Sequence, residues 1–351
     1  MSDTIINSSE FAKILVKWGE NIDRNMPWKG QKSPYKVWLS EIILQQTRVE
    51  QGRKYYLTFI HNFPTVADLA TASVDTVLGL WKGLGYYSRA RNLHETANDI
   101  INNYNGKFPT TYKDLLKLKG VGHYTAAAIA SFCYDEQVAV LDGNVYRVLA
   151  RIENNDTIIN TSAGKKVFSE LASKYLGDTR PSIYNQAIMD FGALICTPNP
   201  KCDECPVTHL CNAFNEGVQK ELPKKKKNKS RKKRYFNYLI NKEKNYLRKR
   251  EGNEIWEGLY EPYLIESDKE LTIEDLTLES AKIKADVLST DPIRHKQVLS
   301  HQEIYATFWI VEFEDFESLG LHSFSESELS TIGLPKIVDW FLSNNSLYLF
   351  E

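Results

Sequence analysis

The sequence predicts two domains of different class: an all-α unit over residues 1–222, a basic linker over 223–234 and an α+β unit over 235–351. Three observations carry this. Apolar residues recur at helical spacing through the first part of the chain. Residues 224–234, K-K-K-K-N-K-S-R-K-K-R, place nine basic side chains in eleven positions, so this run has no apolar face, repels itself and reads as a solvated joint. Beyond it come runs rich in β-branched and aromatic residues, the clearest being Tyr305–Glu314, Y-A-T-F-W-I-V-E-F-E. A length of 351 residues gives each of two domains enough chain to bury its own core.

The elements follow in order. Phe11, Ile14, Leu15, Trp18 and Ile22 form a helical stripe behind the candidate caps Ser8 and Ser9. A second helix covers about 36–47 and a third about 88–104. Thr110 or Thr111 caps a short helix ahead of Gly120. Further helices cover about 123–134, 143–152 and 181–195, the last with Pro181 in its first turn. Val138–Leu141 reads as an extended connector. After the linker, Tyr235–Ile240 and Tyr246–Arg250 read as strands around the turn Asn241–Asn245. Ser327–Ser343, interrupted by G-L-P at 333–335, gives a terminal helix.

A net charge of −1 argues nothing for nucleic acid, but the basic run could track phosphates. The N-terminus is polar and lacks the layout of a signal peptide, and no apolar run approaches the roughly 18 residues of a membrane span. A cytoplasmic protein without a membrane partner is therefore expected. In that compartment clustered cysteines favour metal over disulfides. Four of the five cysteines form Cys196-x5-Cys202-x2-Cys205-x5-Cys211, close enough to wrap one metal centre. Zinc and an iron–sulfur cluster both fit four thiolates, and the wide outer gaps suit a cubane better. Cys133 stands apart and reads as a buried small hydrophobe.

Three further segments carry chemistry. In L-K-G-V-G-H-Y-T-A at 118–126, Gly120 and Gly122 allow a tight turn between helices, whose N–H groups can face a phosphate; an ordinary helix–turn–helix packing unit is the plainer alternative. Asp142, in V-L-D-G-N-V-Y-R-V-L, is an N-cap by sequence; a helix N-terminus also favours an ionised carboxylate, which suits stabilising a cationic sugar. In Y-K-V-W-L-S-E-I-I-L-Q-Q-T-R-V at 35–49, Glu41 and Gln45 share a helix face. Glu41 is either a solvent-facing residue or a buried carboxyl with a raised pKa, fit to be a general acid.

These residues, with G-L-G-Y-Y-S-R-A-R-N-L at 83–93 and N-Q-A-I-M-D-F-G-A at 185–193, resemble the helix–hairpin–helix glycosylase superfamily. Within it the chain is most similar to the adenine DNA glycosylases of the MutY type, from about Trp18 to the C-terminus. The related endonuclease III type carries Lys at the position of Tyr124; tyrosine cannot form the Schiff base that leads to strand cleavage. The resemblance implies a monofunctional enzyme that excises adenine opposite 8-oxoguanine or guanine in double-stranded DNA, acting as a monomer. Glu41 would protonate adenine N7, and Asp142 would stabilise the oxocarbenium ion. Tyr124 and Asn144 would complete the pocket around the sugar and the attacking water. Trp28, Val49 and Gln186 would hold the flipped base, with Gln45 beside them. Gln46 and Tyr86 would fill the gap left in the stack, near Leu44. Cys196, Cys202, Cys205 and Cys211 would ligate a [4Fe–4S] cluster. The second half would be a Nudix-like domain lacking the Nudix hydrolase box, with Ser300 and His301 reading 8-oxoguanine.

Three features depart from the family pattern: five residues rather than six between the first two cysteines, Lys29 in place of a common arginine, and Leu299 where an aromatic residue is frequent. Two other readings remain open on sequence: a related glycosylase acting on another mismatched base such as thymine, and a non-catalytic DNA-binding module.

Overall fold

A computed structural model of the chain describes residues 7–226, 230–252 and 254–344. The chain forms two compact units that do not follow the linear order expected: one comprises residues up to 70 and 95–228, the other 71–94 and everything from 229. The boundary at 94/95 falls inside the helix Ser88–Tyr104.

The first unit is helical, as expected. Its first helix, Ser8–Glu20, is capped by Asn7, whose side chain accepts from Glu10 N at 3.2 Å, rather than by Ser8 or Ser9. The second runs over Pro34–Leu44, with Pro34 in the first turn and Ser33 as cap. It buries Tyr35, Val37, Trp38, Leu39, Ile42 and Ile43, so it is a core helix and not a surface stripe. It ends at Leu44: Gln45 has extended dihedrals, and the shared helix face expected for Glu41 and Gln45 does not exist. Thr111 caps Tyr112–Leu115, Gly122 opens His123–Tyr134 and Asp142 caps Gly143–Ile152. Two long helices escape the sequence pattern, Val49–Asn62 and Ser162–Leu176, because their buried stripes of Tyr56 and Phe59, and of Phe168, Ala172 and Tyr175, are diluted by polar faces. Helices Ser8–Glu20, Gly143–Ile152, Ser162–Leu176 and Pro181–Leu194 enclose the core around Phe11, Leu149, Phe168, Tyr184 and Phe191.

The second unit is α+β. Its strands are β1 (Lys232–Asn241), β2 (Asn245–Lys249), β3 (Tyr260–Glu261), β4 (Tyr263–Ser267), β5 (Ala285–Val287), β6 (Ile293–Val298), β7 (Gln302–Phe313) and β8 (His322–Phe324). The main sheet has the order β4-β1-β7-β5, with β6 also on β7; β3-β2-β8 form a second sheet. The expected hairpin of 235–240 with 246–250 is not formed. β1 pairs in parallel with β7 from Lys232↔Gln302 to Asn241↔Val311, and β2 belongs to the other sheet. Burial explains this choice. Helix Lys336–Asn344 packs Ile337, Val338 and Phe341 on Phe236, Tyr238 and Phe308, while Leu276 of helix Ile273–Ala281 joins Leu239, Trp309 and Val311. The central strands are thus apolar on both faces, which is why β7 reads as an unbroken apolar run.

Residues 71–94 are fixed to this unit by several contacts. Asp75 accepts from Lys249 Nζ at 2.6 Å and from the Tyr260 hydroxyl at 3.2 Å, and the Tyr87 hydroxyl donates to Leu334 O at 3.0 Å. At Gly79 a Cβ would lie 2.0 Å from Thr331 O, so only glycine permits this approach. The expected linker at 223–234 is in part tied down. Ile159 N donates to Lys224 O at 3.1 Å, Asn160 bonds the backbone of Lys226 through both its amide groups, and β1 already begins at Lys232. Residues 227–229 of that run lie outside the described residues.

Candidate active site

The first unit holds a cleft of about 600 Å³, and most of the sequence candidates meet there. Glu41 and Leu44 come from helix Pro34–Leu44, Gln45 and Gln46 from the turn after it, and Val49 from the start of the next helix. Tyr124 enters from the first turn of His123–Tyr134, Asp142 and Asn144 from the N-terminus of Gly143–Ile152, and Gln186 from Pro181–Leu194. Trp28 closes one wall, its ring edge-on to Tyr56 at 5.4 Å between centroids. Helix termini and a turn supply much of this lining, and residues from 28 to 186 are gathered by packing.

Glu41 is only 7% exposed and has no cationic partner among the described residues. Burial pushes its pKa up to about 7, the Tyr124 hydroxyl pulls it partly back, and the Asp142 charge adds to the rise. The Tyr124 phenol is itself pushed well above its ordinary value, by burial first and by the two carboxylates next. Asp142 takes the capping role anticipated for it. Its Oδ1 accepts from Asn144 N at 2.9 Å and Val145 N at 2.7 Å, which caps the helix, and its Oδ2 accepts from Asn144 Nδ2 at 2.8 Å. Burial raises its pKa, a correction to the expectation from helix capping alone; the three donors and Arg147 restrain that rise by favouring the ionised form. Arg147 was not anticipated. Its Nη2 donates to Asn144 Oδ1 at 2.9 Å and Gly192 O at 2.6 Å, and its Nε to Cys196 O at 2.7 Å, so it holds the amide that holds Asp142.

The segment at 118–126 is a turn between helices. Gly120 takes φ +72°, which a side chain would resist, whereas Gly122 is extended and a Cβ there would meet nothing within 4 Å. Gly122 therefore leaves open space at the N-terminus of His123–Tyr134, where backbone N–H groups are unpaired within the helix.

The pattern of the helix–hairpin–helix (HhH-GPD) superfamily of base excision DNA repair proteins matches residues 39–174, which include Glu41, the hairpin and Asp142. The adenine DNA glycosylase of Buchnera aphidicola subsp. Baizongia pistaciae is 37% identical over 309 residues, 86% of each chain. The chain belongs to the adenine DNA glycosylase family. A solved thermostable thymine-DNA glycosylase is 28% identical, with a TM-score of 0.54 over 60% of this chain and 97% of its own. An endonuclease III solved in a non-covalent DNA complex, at 20% identity and TM-score 0.52 over 61% of this chain and all of its own, shares the fold.

The other residues singled out in the sequence lie elsewhere. Tyr86 belongs to the second unit, so it does not sit in the same compact unit as Gln46. Its hydroxyl is 2.5 Å from Ser300 Oγ, and both side chains are exposed. His301 is exposed, and its backbone O accepts from Lys232 N at 3.1 Å. Gln46 (φ +56°) and Tyr86 (φ +51°) are both in the left-handed region, a strained state for residues with a Cβ that persists where surroundings enforce it.

Cys196, Cys202, Cys205 and Cys211 line one cavity with Ile152, Phe191, Val207 and Phe214. Burial pushes the Cys211 thiol up to about 11, and neighbouring thiols raise Cys202, Cys205 and Cys211 further, so these three resist ionising together unless a cationic centre joins them. Arg151, 2% exposed, turns into this cavity: its Nη1 is 3.3 Å from Cys196 Sγ and 2.6 Å from Thr197 O. Among the described residues no carboxylate pairs with it. A buried cation beside four thiols is the environment an anionic metal–thiolate centre needs. No three Cys, His, Asp or Glu side chains among the described residues converge on a point fit for a single ion.

The sequence reading missed Asp190, 2% exposed and shared by the cleft and a smaller cavity behind Trp28. It stands four residues after Gln186 in N-Q-A-I-M-D-F-G-A, a helical spacing that was available as a signal.

Proposed function

We propose that the protein flips adenine out of double-stranded DNA, where it is mispaired with 8-oxoguanine or guanine, and hydrolyses its N-glycosidic bond. The observation that carries this is Glu41: a buried carboxyl with a pKa near 7, in one cleft with the N-capping carboxylate Asp142. A general acid works best with a pKa near the working pH. Glu41 gives its proton to N7 of the base, and the base leaves with the bonding electron pair. Asp142, held by Asn144 and the helix N-terminus, stabilises the positive charge at C1′ by its own charge or through a transient adduct. Water then adds at C1′ beside Tyr124 and Asn144 and loses its proton. Tyr124 offers no amine, so the reaction stops at the abasic site. The open turn at Gly120–Gly122 grips a phosphate without reading sequence, Gln46 and Tyr86 fill the vacated stack, and Ser300 and His301 read the lesion in a Nudix-like domain.

The four cysteines suit a [4Fe–4S] cluster, which would supply a rigid anchor for the 196–211 loop. Thiols spaced around a cavity rather than on one point favour a polynuclear centre over zinc. We place the protein in the cytoplasm as a monomer; no helix among the described residues is long and apolar enough to cross a membrane.

The test is free-base release from a duplex with A opposite 8-oxoguanine, beside A·G and G·T duplexes. Adenine release without strand cleavage is expected, fastest opposite 8-oxoguanine. Thymine release from G·T, or none from any duplex, would overturn the reading. Metal analysis should find iron; zinc alone would overturn the cluster assignment.

A further inference from the structure

The buried carboxylate of Asp190 shares the cleft with the acid pair Glu41 and Asp142, but its three bonds go elsewhere. Its Oδ1 accepts from Arg24 Nη1 at 2.7 Å; its Oδ2 accepts from Lys29 Nζ at 3.1 Å and from Gln186 Nε2 at 3.0 Å. A carboxylate bridged to two cations is acceptor-only, so the Gln186 amide has one choice of face: its NH₂ must turn to Asp190. Its Oε1 is then left for the cleft, where among the described residues it takes no hydrogen bond.

The geometry points to Asp190 as the positioning residue that fixes the Gln186 amide with its oxygen toward the base, and thereby sets a preference for 6-aminopurines over 6-oxopurines. The proposal rests on adenine being the base taken into this cleft. Adenine presents an N–H donor at its 6-position, and an inward carbonyl accepts from it. Hypoxanthine and guanine present an oxygen there, and two facing acceptors repel and leave both undersolvated. A free glutamine could turn its amide to suit either base. The ion-paired Asp190 removes that freedom, so selectivity comes from a residue that does not touch the substrate. Lys29 takes part as the second cation that keeps Oδ2 an acceptor.

The exchange Asp190→Asn tests this directly. Asparagine keeps the shape and can still accept from Arg24 through its oxygen, but its NH₂ then faces Gln186. The glutamine amide must turn to accept, and its own NH₂ swings into the cleft. Single-turnover release is measured for adenine and for hypoxanthine, each opposite 8-oxoguanine, in wild type, Asp190→Asn and Asp190→Glu. The expected result is a fall in the adenine-to-hypoxanthine rate ratio of roughly tenfold or more in Asp190→Asn, with Asp190→Glu retaining the wild-type sense of preference. A merely structural ion pair would slow both bases alike and leave the ratio unchanged, which would overturn the assignment. If Asp190→Asn does not fold, Gln186→Leu, which can neither accept nor donate, gives the second arm. It removes the inward acceptor, so the ratio should fall, and an unchanged ratio there would count equally against the inference. Wild-type protein that releases adenine but shows no preference between the two bases sinks only this inference; wild-type protein that releases no adenine sinks the proposed function with it.

Discussion

The two units each bury a glutamate beside a tyrosine, and the outcomes are opposite. Glu41 in the helical unit has Tyr124 and a second carboxylate for company, with no cationic partner among the described residues, and its pKa climbs to about 7. Glu261 in the α+β unit, 2% exposed, accepts from Arg250 Nη1 at 2.6 Å and from the Tyr238 hydroxyl at 3.1 Å. Burial raises its pKa too, but Arg250 opposes the rise. Around it Arg234 bridges Glu254 and Glu266, so the charged cleft there is internally paired. Depth alone does not make a carboxyl reactive; depth without a counter-charge does. In the proposed reaction the same chain uses a buried acid once as a proton donor and once as a fastening.

The largest effect should separate these roles. Glu41→Gln and Asp142→Asn are expected to lower adenine release by about 10²–10⁴-fold or more in single-turnover assays, while Glu261→Gln leaves chemistry intact. Wild-type rate should fall as pH rises through about 7, because Glu41 ionises there. A flat profile across pH 6–8 under conditions where chemistry limits would contradict Glu41 as acid.

Stability should then reverse the ranking. Glu261→Leu takes the buried partner from Arg250, leaving it only the exposed Glu254, and is expected to cost about 3–5 kcal/mol in urea unfolding of the second unit. Glu41→Gln should do the opposite at high pH. Glu41 ionises near 4.5 when unfolded and near 7 when folded, so between these values the unfolded chain binds fewer protons and stability falls as pH rises. The shift amounts to roughly 3 kcal/mol. The variant should therefore be more stable than wild type at pH 8 and nearly equal to it at pH 4. Destabilisation at both pH values would mean that Glu41 is structurally paired after all.

The smallest effect concerns the contact between Tyr86 and Ser300. Tyr86→Phe removes one exposed hydrogen bond and is expected to weaken binding to an A·8-oxoguanine duplex by about 0.5–1.5 kcal/mol, with less change for A·G. An equal loss on both duplexes would detach the pair from lesion reading.

Much of the site was legible before any coordinates. Asp142 is a capping residue by its Asp-Gly-Asn context, Tyr124 and the glycines mark a hairpin, and four cysteines in sixteen positions mark one centre, because each signal is local. The helices around them were legible for the same reason. Asp190 and Arg147 were not, since their significance lies in partners 166 and 49 residues away. Residues 71–94 were also misplaced by sequence order. A chain cut near Pro223 would remove Leu334 from Tyr87, and Lys249 and Tyr260 from Asp75, so it would strip the support of the segment carrying Tyr86 as well as the loop of Ser300 and His301.

The sequence by itself determined the class of each unit, the capping aspartate, the grouping of four cysteines and the family, because helix caps, turn glycines and close cysteine spacing are short-range constraints. Tertiary structure decided the rest. It left Glu41 without a cation among the described residues, turned Gln186 onto Asp190, paired β1 with β7 instead of β2, and assigned 71–94 to the second unit. Burial and counter-charge are properties of what surrounds a residue, and those neighbours come from segments the local pattern does not connect.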